Sequence, residues 1–584
     1  MTYYLRKSNR SKGIYLQMYD RYWDSDRKQC RQKHIRSFGY VDDLTSDEIP
    51  DPVSYFQHYV DEKNAEIARE KDEATRERIN CSPRFKYAGH FLLHALIDEL
   101  GVRETIDLLA SQTRFQFSIY DMITQLIYSR VLSPGSKLRD CSVVFPSLYR
   151  GNLISDDQVY DGLFFVGSHY KKYIELFNRC YESFFKRNYD HLFFDCTNYY
   201  FEIDAACEDK QKGPSKEKRT DPIIGQALLL DSDLVPLAME MYPGNESEKP
   251  YIRKIIEDMK QRHRVSGRTV QVADKGLNCA RNIRAAIDGG DGYIFSKGIH
   301  GTNLSAQEKQ WILLENDANV FTDYTDEKGN IVYRIKSCVD TFDYVIIDED
   351  PETGKKKKHV FKVKEKRVVS YNPSLAKKQR AEIMKQVDKA ARYKTHKQMA
   401  KDELGDSAKY IKVTSKDKDG KKIKPVIEMN QAKIDEDLKY AGYNLIVTSE
   451  LDMEPQKIYE TYHNLWKIEE SFRITKSYLD ARPVYLQKRE TIYGHFLICY
   501  LSLFLLRILE IKVFDHKINT YDLIHFMRDF KIVKQKDGSY INLSTRQLLN
   551  EKVKKLTGLT LIDALYLTEK EVDNFFDNCM LPNF

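Results

Sequence analysis

Residues 188–299 contain a sequence of strand-like and helix-like patterns that restricts the possible folds more than any other part of the chain. Three short segments rich in aromatic and aliphatic residues come first: HLFFDCTNYYFEI, GQALLLD and PLAMEMYPG. They are followed by a helical pattern, the strand TVQVADKG, a second helical pattern and the strand GYIFSKG. Short apolar runs of this kind are typical of strands buried within a sheet. The segment therefore predicts an α/β domain.

Three consecutive strands followed by alternating strands and helices are the element order of an RNase H-like domain. We therefore predict an RNase H-like catalytic domain of the α/β class, whose first part covers residues 188–299. The alternation stops over residues 300–440 and returns at YNLIVTSE, so residues 441–510 are the predicted second part. The domain is thus expected to be interrupted by an insertion domain.

The charge of the chain is unevenly distributed. Residues 355–424 contain 24 Lys and Arg against 8 Asp and Glu, a net charge of +16 in a chain whose total is +6. Residues 1–40 contain ten Lys and Arg against three Asp. Such asymmetry is typical of proteins that bind a polyanion, although a solvated lysine-rich face has the same composition. We accordingly describe the predicted insertion, residues 300–440, as basic.

The flanking regions have their own patterns. Residues 1–45 read as a strand-rich, basic N-terminal subdomain, and residues 511–584 as a helical C-terminal region. Residues 46–187 are predicted to be helical, with Ser155 capping one of the helices. Short helices separated by turns are found in helix-turn-helix DNA-binding modules and equally in plain structural bundles. We predict DNA binding here.

The ten cysteines are scattered and form no C-x-x-C pair, which argues against a zinc ribbon or a disulfide framework and favours a reducing cytosol. The most apolar run, residues 494–506, is too short to span a bilayer and is predicted to be a buried helix. The sequence therefore predicts a cytoplasmic protein without a membrane partner.

Asp195 lies in the middle of the apolar run HLFFDCTNYYFEI, and Asp274 ends the strand VQVAD. A buried carboxylate is costly unless it is paired, hydrogen-bonded or bound to a metal. The simple interpretation is a hydrogen bond to a loop or a salt bridge to a lysine. If the first and fourth strands are neighbours, however, both aspartates face one point, as a metal site requires.

A third candidate carboxylate belongs to the predicted helix YHNLWKIEESFRITK. Tyr462, Glu469 and Lys476 are spaced by seven residues, which is almost two helical turns, so they share one face. Arg473 lies near that face, and Glu470 points about 100° away from it. An ordinary amphipathic helix with a Glu–Arg surface pair explains this segment equally well.

These residues together resemble the DDE transposases of bacterial insertion sequences, in particular the long-chain branch of the IS-four superfamily, whose signature helix has the form Y-x2-R-x3-E-x6-K. Tyr462, Glu469 and Lys476 match that signature, whereas Leu465 stands where the family has Arg. The phrases VADKGLN and PGNESE and the N-terminal RQKHIRSFGY segment also resemble this group.

The resemblance implies that Asp195, Asp274 and Glu469 are catalytic and hold two Mg²⁺ ions, with Mn²⁺ able to substitute. It also implies that Tyr462 and Lys476 contact DNA, and we expect Lys467 or Arg473 to supply the missing phosphate contact.

The implied function is that of a transposase acting in the bacterial cytoplasm at the nucleoid. Such a protein binds terminal inverted repeats as a homodimer, cleaves the DNA ends and transfers the 3′-OH to target DNA. The alternatives are a nuclease or resolvase without strand transfer, an inactive DNA-binding descendant, and an RNA-binding scaffold.

Overall fold

The computed structural model describes residues 2–24, 29–80, 85–111, 113–217, 219–263, 265, 267–300, 304–316, 319–349, 353–395, 404–416, 422–535, 537–544 and 548–584. Residues 396–403 and 417–421 of the basic segment lie outside this range. By the density of internal contacts the chain divides into two units, residues 1–85 and 86–584.

The first unit contains one antiparallel sheet and two helices. Its strands are β1 (Thr2–Arg10), β2 (Gly13–Asp24) and β3 (Gln29–Tyr40), paired in the order β1-β2-β3. The helices are Val41–Leu44 and Pro52–Asn80. Leu16 and Met18 of β2 are buried, as expected for alternate residues on the covered face of a sheet.

The second unit is a mixed α/β structure, which confirms the predicted fold class at that level. Its strands are β4 (Phe85–Tyr87), β5 (His191–Tyr200), β6 (Ile223–Leu230), β7 (Pro236–Pro243), β8 (Val270–Ala273), β9 (Gly292–Lys297), β10 (Thr322–Thr325), β11 (Ile331–Glu349), β12 (Lys356–Tyr371), β13 (Ile411–Lys416), β14 (Lys422–Met429), β15 (Tyr443–Thr448), β16 (Lys531–Lys534), β17 (Tyr540–Asn542) and β18 (Tyr566–Leu567).

The described helices of this unit are Phe91–Glu99, Val102–Ala110, Ile119–Leu132, Lys137–Arg139, Phe145–Ser147, Asp156–Ser168, Tyr170–Glu182, Tyr251–His263, Ala280–Asp288, Ala306–Leu313, Pro373–Thr395, Gln431–Lys439, Pro455–His463, Trp466–Arg473, Arg489–Ile508, Thr520–Asp529, Leu548–Thr557 and Glu569–Asp577. Wider π-helical turns cover Asp140–Val144, Ile474–Tyr478 and Leu509–Val513, and a 3₁₀ helix covers Gly405–Tyr410.

Nine of the strands form one sheet in the order β10-β11-β12-β15-β9-β8-β5-β6-β7. β5 and β8 are parallel, as are β8 and β9, whereas β5, β6 and β7 pair antiparallel. The first and fourth strands of the predicted domain, β5 and β8, are therefore direct neighbours. This adjacency is what allows Asp195 and Asp274 to lie close together.

The segment between β9 and β15 contributes to this same sheet. β11 and β12 form a long antiparallel pair, and β12 joins the sheet through antiparallel pairing with β15. The rest of the segment has a small core of its own, in which Ala390, Tyr410 and Ile434 are buried together. The predicted break in the strand–helix alternation thus corresponds to strands that extend the sheet at one edge and to a smaller helical part.

Side chains of β5 and β8 alternate between the two faces of the sheet. Phe193 and Val272 pack into the core that also contains Ile468 of the Trp466–Arg473 helix, whereas Phe194 and Ala273 pack into the opposite core. Because side chains alternate along a strand, Asp195 follows the same parity as Phe193. The sheet face that carries Asp195 is therefore the one that the helix with Glu469 covers.

The helix Arg489–Ile508 is buried from Thr491 to Ile508, which confirms the prediction for residues 494–506. It crosses the Asp156–Ser168 helix at Gly167 and Gly494, where an added Cβ would meet the backbone carbonyls of Glu490 and Leu163. Ser155 caps that second helix together with Gln158, as predicted. No described helix combines the length and apolarity that crossing a membrane requires.

Candidate functional site

Asp195 and Asp274 are placed side by side by two neighbouring parallel strands. Phe194 of β5 is paired with Ala273 of β8, and each aspartate is the next residue of its chain segment. Neighbouring strands lie about 4.8 Å apart, so the two backbones approach closely at this point. These two predicted residues therefore lie next to each other at one end of β8.

The Asp195 carboxylate is in an environment that raises its pKa to about 6. Burial is the main cause, and the negative charges of Glu248 and Asp274 act in the same direction. The Lys216 ammonium and the backbone N–H of Cys196, which donates to Asp195 Oδ1 at 2.7 Å, oppose the shift. A carboxylate crowded by other carboxylates in this way favours a bound cation.

Tyr462 connects the helical side of the site to Asp274. Its hydroxyl donates a hydrogen bond to Asp274 Oδ1 at 3.0 Å. Burial raises the pKa of Tyr462, and the negative charges of Asp274 and Glu469 raise it further. Glu469 itself is exposed. Tyr462 therefore contacts Asp274 directly, and the negative charge of Glu469 acts on the same tyrosine.

The helix that was expected to carry Tyr462, Glu469 and Lys476 is divided. One helix ends at His463, a second covers Trp466–Arg473, and a π-helical turn covers Ile474–Tyr478. The division falls at Leu465, where the family signature has Arg, and the Leu465 side chain is buried in the core. An apolar side chain at this position stabilises the junction between the helices instead of reaching the site.

Lys476 lies at the far end of β5 from the paired aspartates. Its Nζ is 3.1 Å from Glu217 Oε1 and 5.2 Å from the centre of the Tyr199 ring. Arg482 also forms an ion pair with Glu217 and lies over the neighbouring Tyr200 ring.

Lys467 and Arg473 contact other groups. Lys467 Nζ is 3.1 Å from Glu470 Oε2 and 3.6 Å from Glu510 Oε1, and Arg473 Nε donates to the Tyr521 hydroxyl at 2.8 Å. Both side chains thus reach the C-terminal helices. The structure does not bring these two predicted residues to Asp195 and Asp274.

Sequence reasoning missed two site residues in the loop between β5 and β6. Lys216 Nζ is 3.6 Å from both Asp195 Oδ1 and Glu248 Oε2, which realises the salt bridge considered as the simple interpretation of Asp195. Glu217 follows directly and binds Lys476 and Arg482. The available signal was the charged run KGPSKEKR after the aspartate strand and the acidic phrase PGNESE, which contains Glu248.

In the described part of the chain, only His300, Glu436 and Asp437 bring three possible metal-ligand atoms within 4.8 Å of one another. The possible ligand atoms of Asp195, Asp274 and Glu469 are therefore farther apart than those of the His300 group. The carboxylates of the His300 group already have cationic partners. Lys309 pairs with Glu436 at 3.1 Å, and Lys409 and Lys433 pair with Asp437 at 3.0 and 2.8 Å. These three ammonium groups make a structural ion-pair network the better explanation of that cluster.

Asp195 and Asp274 fit a divalent cation on chemical grounds. They supply hard oxygen ligands from the middle of β5 and from the end of β8, and Mg²⁺ prefers carboxylate oxygens, with water and phosphate completing its coordination. No Cys or His is needed for such a site. The two carboxylates are thus of the chemical type that metal-assisted phosphoryl transfer uses.

A family model described as the transposase DDE domain matches residues 186–505 of the chain. The match covers more than half of the protein and contains Asp195, Asp274, Glu469 and Lys476. The chain therefore belongs to the transposase DDE domain family, a membership that indicates a transposase acting on DNA. A comparison with curated proteins found no match.

Proposed function

We propose that this protein is the transposase of an insertion sequence, with an RNase H-like core formed by residues 188–299 and 441–510 and interrupted by a basic insertion domain, residues 300–440. The observation that supports it best is the pairing of Asp195 and Asp274 on neighbouring parallel strands, with Tyr462 bonded to Asp274. The signature positions Glu469 and Lys476 lie on the helical segment that follows Tyr462.

In the proposed site, Asp195, Asp274 and Glu469 hold two Mg²⁺ ions, for which Mn²⁺ can substitute. When bound, such a pair of ions activates a water molecule and neutralises the charge that develops on the phosphate. Asp195 and Asp274 are fixed by the sheet, and Tyr462 orients one oxygen of Asp274. Glu469 is exposed on its helix, so its carboxylate completes the site from the solvent side as the DNA binds.

The reaction proceeds by two in-line displacements. In the first, a water oxygen bonds to the phosphorus at the end of the element while the bond to the 3′ oxygen breaks, which leaves a 3′-OH. In the second, that 3′ oxygen bonds to a target phosphorus while the target's own 3′ oxygen leaves. Each step exchanges one P–O bond for another, so one active site serves both.

The DNA contacts are assigned to cationic groups around the site. Lys476 is proposed to contact a phosphate near the cut, and Tyr462 is proposed to lie beside the DNA at Asp274. Lys467 or Arg473 is proposed to supply the phosphate contact that Leu465 cannot make, and each would have to leave its present partner, Glu470 or Tyr521, to do so. The basic insertion would follow the DNA backbone, with an affinity that falls as salt rises.

The protein would recognise terminal inverted repeats through residues 1–187, in the bacterial cytoplasm. Because both ends of the element must be processed, we propose that a homodimer assembles on the DNA.

The test is a strand-joining assay. Inverted repeats near both ends of the gene identify the element end, and a labelled duplex with that end is incubated with plasmid and Mg²⁺. The wild type is expected to give joined product, and Asp195→Asn is expected to give neither cleavage nor joining. Asp190→Asn is the control, because it removes an exposed carboxylate just before β5.

Cleavage without joined product would favour a nuclease or resolvase. If the Asp195→Asn variant cleaves and joins the duplex like the wild type, Asp195 takes no part in the mechanism and the proposed site is contradicted.

A further inference from the structure

Two adjacent residues of opposite charge connect the carboxylate and the cationic parts of the site. Lys216 contacts Asp195 and Glu248, and Glu217 contacts Lys476 and Arg482. The pairs of Glu217 are partly shielded from solvent, with 13% of the Lys476 side chain and 27% of the Arg482 side chain exposed. One glutamate thus pairs with two shielded cations, and the group of three keeps a net charge of +1.

The loop that carries Glu217 is fastened to β5. The side-chain amide of Asn198 donates to the Pro214 carbonyl oxygen at 3.2 Å and accepts from the backbone N–H of Lys216 at 3.2 Å. Asn198 is itself buried. These hydrogen bonds fix the position of the loop relative to β5. The position of Glu217, the next residue, is therefore set by the fold.

The two cations lie over the aromatic rings at the end of β5. Lys476 lies over Tyr199 and Arg482 over Tyr200. At about 3.3 Å per residue, Tyr199 is roughly 13 Å along the strand from Asp195. A phosphate bound between Lys476 and Arg482 would therefore belong to a nucleotide that flanks the scissile one.

A carboxylate and a DNA phosphate are alternative partners for the same cations, because both offer oxygen acceptors to an ammonium and a guanidinium. Any DNA that uses Lys476 and Arg482 must first replace Glu217. This replacement costs the ion pairs of Glu217 and penalises every DNA equally, whatever its sequence. A penalty shared by every DNA lowers each affinity and leaves the ratio between the affinities for two sequences unchanged.

We propose that Glu217 is an autoinhibitory residue that competes with DNA phosphates for Lys476 and Arg482 and thereby weakens the binding of DNA of any sequence. This inference rests on the proposed function, since it requires Lys476 to be a DNA contact. It adds an autoinhibitory role for a residue outside the three catalytic carboxylates.

The experiment measures fluorescence anisotropy of a labelled 30-base-pair duplex of arbitrary sequence, in EDTA so that no cleavage occurs. Glu217→Gln is expected to bind this duplex about five-fold more tightly than the wild type, on the scale of one lost surface ion pair. The slope of log affinity against log salt should steepen by about one, because an additional phosphate contact forms.

Glu202→Gln is the matched control. Glu202 is an exposed glutamate at the same end of β5 and pairs with Arg219 at 3.6 Å. Arg219 lies over the Tyr200 ring, as Arg482 does, and keeps a second partner, Asp221, at 3.6 Å when Glu202 is replaced. The Glu202→Gln variant loses the same charge as Glu217→Gln and should bind the duplex like the wild type. Lys476→Gln/Arg482→Gln should bind more weakly, and adding Glu217→Gln to that pair should give no gain. Glu217→Asp, which keeps the charge, checks that the loop still folds.

The results distinguish the proposed DNA contact of Lys476 and Arg482 from the proposed competition by Glu217. If the Lys476→Gln/Arg482→Gln variant binds DNA like the wild type, the proposed DNA contact is wrong and the inference falls with it. If that variant binds more weakly but Glu217→Gln is not tighter than the wild type, only the competition is overturned. If Glu202→Gln tightens binding as much as Glu217→Gln, the effect is one of net charge and the inference is also wrong.

Discussion

The Tyr462 hydroxyl donates a hydrogen bond to the Asp274 carboxylate, which joins two residues 188 positions apart in the chain. Asp274 follows β8 in the middle of the sheet, and Tyr462 belongs to the helix Pro455–His463. A single bond thus ties the helical segment that leads to Glu469 to the strand end that carries the second aspartate. The position of Asp274 depends on both elements.

Tyr462→Phe removes this bond and keeps the ring. A hydrogen bond to a charged group contributes about 1.5–3 kcal/mol, so the DNA cleavage rate should fall roughly tenfold or more. The melting temperature should fall by about a few degrees because the bond is lost, and the cleavage rates are therefore compared well below it. Tyr459→Phe is the control, since Tyr459 lies on the same helix and stacks on Tyr333 at 4.2 Å. Equal cleavage rates for the Tyr462→Phe variant and the wild type would contradict the role of this bond.

Glu469 and Glu470 are adjacent but have different surroundings. Glu470 is buried and pairs with Arg507 at 2.8 Å, and Arg507 also pairs with Glu510 at 2.6 Å. Glu470→Gln should lower the free energy of unfolding by roughly 3 kcal/mol, because it weakens a buried ion-pair network. Glu469→Gln should leave stability unchanged and abolish cleavage. Urea unfolding and a cleavage assay on both variants check this, and a reversed pattern would contradict the assignment.

The free energy of unfolding should depend on pH because of His90, which lies in the helical region. The pKa of His90 is lowered to about 3, mainly by burial and also by the charge of His94, and the hydrogen bond to the Tyr149 carbonyl oxygen partly opposes the shift. The unfolded chain binds a proton below pH ~6.5, whereas folded His90 stays neutral down to about pH 3. Stability is therefore lost as the pH falls through this window, by up to about 1.4 kcal/mol per unit.

His90→Asn removes this titrating group. Between pH 7.5 and pH 5 the wild type should lose roughly 2 kcal/mol more stability than the variant, as measured by urea unfolding. If the free energies of unfolding of the two proteins change with pH in parallel, His90 is not the source of the pH dependence.

Local sequence patterns were sufficient to predict the two strands that carry or precede Asp195 and Asp274. The apolar run around Asp195 and the strand ending at Asp274 were both predicted, because buried strands have a strong compositional signal. The cap at Ser155 and the buried helix that includes residues 494–506 were predicted for similar reasons.

Other features depended on tertiary contacts that no local pattern encodes. The division of the signature helix at Leu465 and the π-helical turn after Arg473 alter a seven-residue spacing that looks regular in the sequence. Lys216 and Glu217 looked like ordinary loop charges, because their partners lie far away in the chain. The long strands β11 and β12 read as an interruption, since their membership in the sheet depends on pairing with β15.

The central claim is that Asp195 and Asp274, with Glu469, hold the metal ions that act on DNA. Mn²⁺ binding to the complex of protein and element-end duplex, measured by electron paramagnetic resonance, tests it most directly. We predict two bound ions per active site in the wild type, loss of binding in Asp195→Asn and Asp274→Asn, and weakened binding in Glu469→Gln. Wild-type Mn²⁺ binding in both aspartate variants would contradict the account.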